Sequence, residues 1–157
     1  MGRLIRPVIP DYTVNMTEEE LIALFGQKVK ESGAEFLELT SKEEVFEYVN
    51  KRLFTDNLSN EGIASAEGIC AVAENGGVWL DTSAFGRRVD PFIAEELILV
   101  VKSGNIVENM HVLYDKIDPA AGGFGVLISG PSKTADIEQC LVYGAHGPVK
   151  HTVVIYK

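Results

Sequence analysis

Cysteine and histidine are scarce in this chain, with two and three among 157 residues, and each scarcity excludes something. Cys70 and Cys140 close at most one disulfide, too few for a stapled secreted scaffold. Both sit in apolar sequence, where a free thiol behaves as a small hydrophobe, so a reduced, cytoplasmic setting is expected. An iron–sulfur cluster takes about four cysteines, so this chain has too few to hold one alone. His111, His146 and His151 lack ligand spacing with acidic neighbours, and no metal site is expected. Long apolar runs are missing too. "MGRLIRPVIPDYTVNMTEEE" lacks the roughly 7–15 apolar residues of a signal peptide, and no segment approaches the roughly 20 that cross a bilayer. Positive charge is in deficit: 14 basic residues face 23 acidic ones, a net charge of −9. Arg87-Arg88 is followed by Asp90 and Lys51-Arg52 lies near Asp56, so no basic patch invites nucleic acid or an anionic membrane.

What is present suits a folded domain. Hydrophobic residues at 46% and charged residues at 24% match ordinary globular proteins, and 157 residues suffice to bury one core. Residues 1–16, interrupted by Pro7 and Pro10, read as an extended arm. It would pack on its own domain or on a second subunit of a homo-oligomer. Residues 17–157 read as a single α/β domain. Thr17 and Glu20 stand at capping-box spacing ahead of a stripe of Leu21, Leu24, Phe25 and Val29, with Gly33 as the stop. "AEFLELT" predicts a strand. Ser41 and Glu44 predict a second capped helix, burying Val45, Phe46, Val49 and Leu53. The glycine-punctuated "GIASAEGICAVAENGGVWLD" predicts buried strands, with Trp79 in the core, and "ELILVVK" a strand covered on both faces. A helix is expected from Val107 to Ile117, then a strand at "GVLISG", a helix at "TADIEQCLV" and a strand at "HTVVIYK". Apolar runs alternating with helices argue for an α/β sandwich around a mainly parallel sheet.

The turn "SGPSKT" has the residues of an anion cradle. Gly130 ends a strand, Pro131 stiffens the turn, Ser132 and Thr134 offer hydroxyls and Lys133 a positive charge, ahead of an expected helix N-terminus. Asp136 and Glu138 would oppose an anion there, and Ser132 or Thr134 would equally serve as the N-cap. His146, in the "AHGP" turn, is either a proton carrier near neutral pH or a polar turn residue. Composition and spacing leave these alternatives open.

"GPSKTADIE" at 130–138, followed by "GAHGP" at 144–148, closely resembles the C-terminal signature of the lactate-utilisation (LUD) domain family. "GICAVAENGGVWLD" is similar to an upstream segment of that family, with Asn75 and Gly77 where threonine is usual, and "ELILVVKSGNIV" resembles its next strand. The resemblance implies a Rossmann-like three-layer α/β sandwich, similar to the superfamily of sugar-phosphate isomerases and CoA-transferases. It further implies a role in oxidation of lactate to pyruvate, as an accessory or regulatory component beside partners that carry the iron–sulfur clusters.

A second reading is an enzyme or sensor for a small anionic ligand, a sugar phosphate, a carboxylate or an acyl-CoA. "AENGG" resembles a CoA-transferase motif whose glutamate attacks the acyl group, which would make Glu74 a nucleophile or base. A carboxylate accepting backbone N–H bonds at a glycine turn explains Glu74 equally. On either reading the expected ligand contacts are Asn75, Gly76, Gly77, Gly130, Ser132, Lys133, Thr134 and Asp136. They should meet at the carboxyl edge of the sheet. Whether the chain is an enzyme stays open at this level.

Overall fold

The computed structural model describes residues 14–55, 62–81, 84, 87–117, 124–134, 142–143 and 147–157. Helix α1 (Glu18–Glu31) starts at the predicted capping box: Glu20 N–H donates to Thr17 Oγ1 while Thr17 N–H donates to Glu20 Oε2. The Thr17 N–H, and after it the Thr17 hydroxyl donating to the same oxygen, hold the Glu20 carboxyl below its usual range. The helix ends where Gly33 turns left-handed (φ 91°), with Gly33 N–H on the Lys30 carbonyl and Ala34 N–H on that of Val29.

The chain then enters β1 (Glu35–Leu39) and α2 (Lys42–Thr55). Glu44 N–H donates to Ser41 Oγ, and the Glu44 carboxylate accepts chiefly from Thr40 N–H, one residue ahead of the predicted box. Of the stripe predicted for α2, Val45 is buried and Val49 packs beside it, whereas Phe46 is 69% exposed. Tyr48 takes its place at the interface, one helical turn from Val45.

Strands β2 (Ile63–Glu67), β5 (Glu96–Lys102) and β10 (Lys150–Tyr156) join β1 in an all-parallel sheet, ordered β1-β10-β5-β2. As a strand covered on both faces should, β5 is buried from Glu96 to Val101. Ile98, Val100, Val154 and Tyr156 face α2. Leu97, Leu99, Val101, Val153 and Ile155 face the other way. Arg52 ties α2 to the start of β5 through Glu96, 2.6 Å away and nearly buried.

The opposite face carries α1 together with a second sheet, which the sequence reading did not separate from the first. It comprises β3 (Cys70–Val72), β4 (Gly77–Asp81), β6 (Ile106–Val107) and β7 (Gly125–Ile128), ordered β6-β3-β4-β7. Pairing is antiparallel at β3–β4 and β4–β7. Its alternation is clean: Ala71, Val78, Leu80, Val126 and Ile128 pack toward the parallel sheet. Cys70, Val72, Trp79 and Leu127 face α4 (Met110–Lys116). The architecture is therefore α/β with a mainly parallel central sheet, bearing α2 on one face and α1 with the second sheet on the other.

Two boundaries differ from expectation. Helix α4 begins at Met110, because Val107 belongs to β6 and Asn109 caps the helix, its Oδ1 accepting from the N–H groups of His111 and Val112. A short helix α3 (Asp90–Ile93) also precedes β5. At the C-terminal end, Lys133–Thr134 (β8) and Val142–Tyr143 (β9) pair antiparallel, with Thr134 opposite Val142. Paired residues lie about 5 Å apart, whereas a continuous helix from 134 to 142 would separate its ends by about 12 Å. The predicted helix "TADIEQCLV" therefore does not run through its two ends, and residues 135–141 lie outside the described residues. So does most of the predicted arm.

Candidate functional site

Gly130 follows β7, a strand of the second sheet, and this decides where the signature turn sits. Its φ of 74° reverses the chain onto the C-terminal end of α1, so close that a β-carbon there would lie 2.8 Å from the Ser32 carbonyl oxygen. Lys133 Nζ donates to that same carbonyl, placing a cation at the negative end of the α1 dipole. Ser132 N–H donates to the Pro148 carbonyl (2.9 Å), and Pro131 and Pro148 are both buried. The two halves of the signature thus form one cover, Gly130–Ser132 against Gly147–Pro148.

That cover lies at the amino edge of the parallel sheet, since Ser32 precedes β1 and Pro148 precedes β10. The carboxyl edge was expected. The correction follows from the second sheet: the rule that ligands gather beyond the carboxyl ends of parallel strands does not govern a turn after an antiparallel strand.

The turn "AENGG" links β3 to β4. Asn75 Oδ1 accepts from Gly77 N–H (2.8 Å), and Gly76 at φ 67° approaches α1 so closely that a β-carbon would lie 2.7 Å from Val29 N. Ser129 Oγ donates to the Asn75 carbonyl (2.8 Å), bringing the turn to the segment ahead of Gly130. The structure therefore brings together Asn75, Gly76 and Gly77 with Gly130, Ser132 and Lys133 around the end of α1. Thr134 is placed only by its backbone, in β8; Asp136 and His146 lie outside the described residues.

Glu74 is exposed, and its Oε1 accepts from Met110 N–H (2.7 Å) at the start of α4, while Glu74 N–H donates to the Glu108 carbonyl. The carboxylate acts as a helix-terminal acceptor. The predicted explanation as an acceptor of backbone N–H bonds has a direct counterpart here, on α4 rather than within the glycine turn itself.

Two further groups carry perturbed chemistry that the local motifs do not mark. His151 is 2% exposed at the start of β10, and among the described residues neither ring nitrogen has a hydrogen-bond partner of normal geometry. Burial depresses its pKa to about 4, partly offset by the neighbouring Gly130 carbonyl, so the ring is neutral at pH 7. A histidine sharing the inward face of "HTVVIYK" with two apolar residues was a legible signal. At the carboxyl edge, Tyr156 Oη donates to Glu67 (2.8 Å), and Lys42 pairs with the same carboxylate (3.1 Å). The Tyr156 bond, then Lys42, lowers the Glu67 pKa; the Glu67 hydrogen bond raises that of Lys42. This triad was not legible, because it spans β10, β2 and the start of α2.

Among the described residues no cluster of histidine, cysteine and acidic side chains is arranged to hold a metal, and no helix is long and apolar enough to cross a membrane. Cys70 is buried, its thiol donating toward the Asn105 carbonyl (3.0 Å), and burial raises its pKa, so it lacks thiolate character. Cys140 lies outside the described residues.

Comparison with known proteins agrees with the resemblance to the LUD domain family. Lactate utilization protein C of Bacillus subtilis (strain 168) is 38% identical over 104 residues, which cover 62% of this chain and 42% of that protein. The corresponding protein of Anoxybacillus flavithermus is 35% identical over 88 residues, covering 54% and 39%. Uncharacterized protein YkgG of Escherichia coli (strain K12) is 34% identical over 100 residues, covering 60% and 42%. The chain thus spans about two fifths of the length of these relatives. In fold it is similar to a DUF162 family protein from Deinococcus radiodurans, with a TM-score of 0.71 at 18% identity, over 90% of this chain and 99% of that one. The LUD domain model matches residues 5–156, nearly the entire sequence, and the chain belongs to the LUD domain family.

Proposed function

We propose that this protein is an accessory or regulatory component of lactate utilisation, acting in the oxidation of lactate to pyruvate beside partners that carry iron–sulfur clusters. The observation that supports this most is family membership over residues 5–156, together with relatives named lactate utilization protein C. The proposed working surface is the amino-edge cover, where the "AENGG" turn and Gly130–Lys133 meet through Ser129 and Asn75. Asn75, Gly76, Gly77, Gly130, Ser132, Lys133, Thr134 and Asp136 remain its proposed contacts, and His146 of the same signature remains a proposed proton carrier. Electron transfer is assigned to the partners, and the cover to recognition of a small carboxylate. A cytoplasmic location is proposed with it. The rival role of Glu74 as a nucleophile draws little from the geometry, because one carboxylate oxygen already accepts from the Met110 N–H.

Co-expression with iron–sulfur lactate-utilisation proteins tests the assembly. The expected result is co-purification, and a weakened interaction or lowered lactate oxidation in the Ser132→Ala, Thr134→Ala double variant at unchanged melting temperature. Elution of the protein alone, with no effect on lactate oxidation, would sink the proposal. Equal losses of melting temperature and function would show the two hydroxyls to be structural.

A further inference from the structure

His151 is an odd residue for its position. Strand alternation puts it with Val153 and Ile155 in the apolar layer between the sheets, where an unsatisfied polar group is costly and an apolar side chain is not. Buried polar groups in native proteins are overwhelmingly hydrogen-bonded, so an imidazole whose nitrogens have no well-formed hydrogen bond among the described residues calls for a reason. Its location supplies one, for the ring sits beside the Gly130 carbonyl, beneath the cover that Gly130–Ser132 makes with Gly147–Pro148.

A neutral imidazole has one N–H and one lone pair. The Gly130 carbonyl is an acceptor and suits the N–H, so the other nitrogen is left as an acceptor that only a donor can satisfy. A carboxylate or a keto oxygen has no proton to give, but a hydroxyl has. From this pairing we propose that His151 is the buried recognition group of the signature site, accepting a hydrogen bond from the hydroxyl of a small 2-hydroxy acid that enters beneath the Gly130–Ser132 cover. The proposal rests on the reading of that cover as the working surface and adds a ligand class and a preference to it. The corresponding 2-oxo acid lacks the hydroxyl and is discriminated against, because it would leave the imidazole nitrogen unpaired. Lys133, directly after Ser132 in the cover, supplies the cation for the ligand carboxylate. Entry has to loosen the Ser132–Pro148 hydrogen bond and the Lys133–Ser32 contact, so binding should be visible in those backbone amides.

The test uses the full chain with 15N-labelled histidine and backbone, titrated with L-lactate and separately with pyruvate. Lactate is expected to move the backbone amides of Gly130, Ser132 and Lys133 and to shift one ring nitrogen of His151; pyruvate should leave that nitrogen unmoved. His151→Phe, which fills the volume without polarity, should melt no lower than the parent yet bind lactate about tenfold or more weakly. His151→Gln, which keeps an acceptor, should retain part of the affinity. Amide shifts at the cover with no response at the His151 ring, or undiminished lactate binding by His151→Phe, overturn the inference while leaving the cover as the binding surface. Absence of any response at the cover to either acid overturns the reading of the cover and the inference with it. Should His151→Phe fail to fold, the ring-nitrogen response of the unmodified protein decides alone.

Discussion

At the scale of single residues, the chemistry divides between the two ends of the parallel sheet. The amino edge holds the buried, neutral His151 under the signature cover, and the carboxyl edge holds the ionised pair of Lys42 and Glu67 with Tyr156. The two respond differently to pH. Burial lowers the folded-state pKa of His151 to about 4 from an ordinary value of 6.5. As pH falls, the unfolded chain takes up the proton first, and stability declines. The contribution is complete above about pH 6.5 and is lost progressively down to about pH 4, an effect of at most about 3 kcal/mol. Urea unfolding at several pH values between about 4 and 7 should show this acid limb. His151→Phe should flatten it, and an unchanged limb in that variant would assign the acid sensitivity to other groups.

At the scale of elements, local sequence grammar operates where the partners are close in the chain. Thr17 and Glu20 cap α1 from three residues apart, and Gly33 ends it, as their spacing predicted. Glu74 accepts from the first N–H of α4 across 36 residues of chain, and no local pattern announces that. Glu74→Ala should therefore destabilise the protein by about 0.5–1 kcal/mol, with hydrogen exchange accelerated at the first turn of α4. Glu74→Gln, still an acceptor, should recover most of the loss. A neutral Glu74→Ala that abolishes lactate oxidation would instead return the residue to a chemical role. The same contrast between near and far explains the ends of the expected "TADIEQCLV" helix. Its apolar spacing satisfied a helical template, but the backbone of Thr134 pairs with that of Val142.

At the scale of the whole molecule, one apolar layer joins the parallel sheet, α1 and the second sheet. Leu97, Leu99, Val101, Val153 and Ile155 meet Phe25, Val29, Val78 and Leu80 there. The two sheets should therefore unfold together. Leu99→Ala, at a fully buried position, should cost about 2–5 kcal/mol and lower a single thermal transition followed by both near- and far-ultraviolet circular dichroism. Two separated transitions would show the sheets to be independent units. This layer also sets the position of the signature cover, because β7 delivers Gly130 from the second sheet onto the end of α1.

The sequence by itself determined the α/β class, the helices at α1 and α2, the buried strand "ELILVVK" and the signature residues that mark the family. All of these depend on residues within about a dozen positions of each other, where capping geometry and periodicity leave a readable pattern. Phe46 shows the limit of that pattern, lying beside a buried position yet facing solvent once α2 docks through Val45, Tyr48 and Val49. Only the tertiary structure decided that a second sheet exists and that Gly130 lies at the amino edge. It also decided that His151 is sealed beneath Gly130 and that Glu67, Tyr156 and Lys42 meet across the strands. Each of these depends on which distant segments pair, and pairing is settled by the burial of shared apolar faces rather than by spacing along the chain.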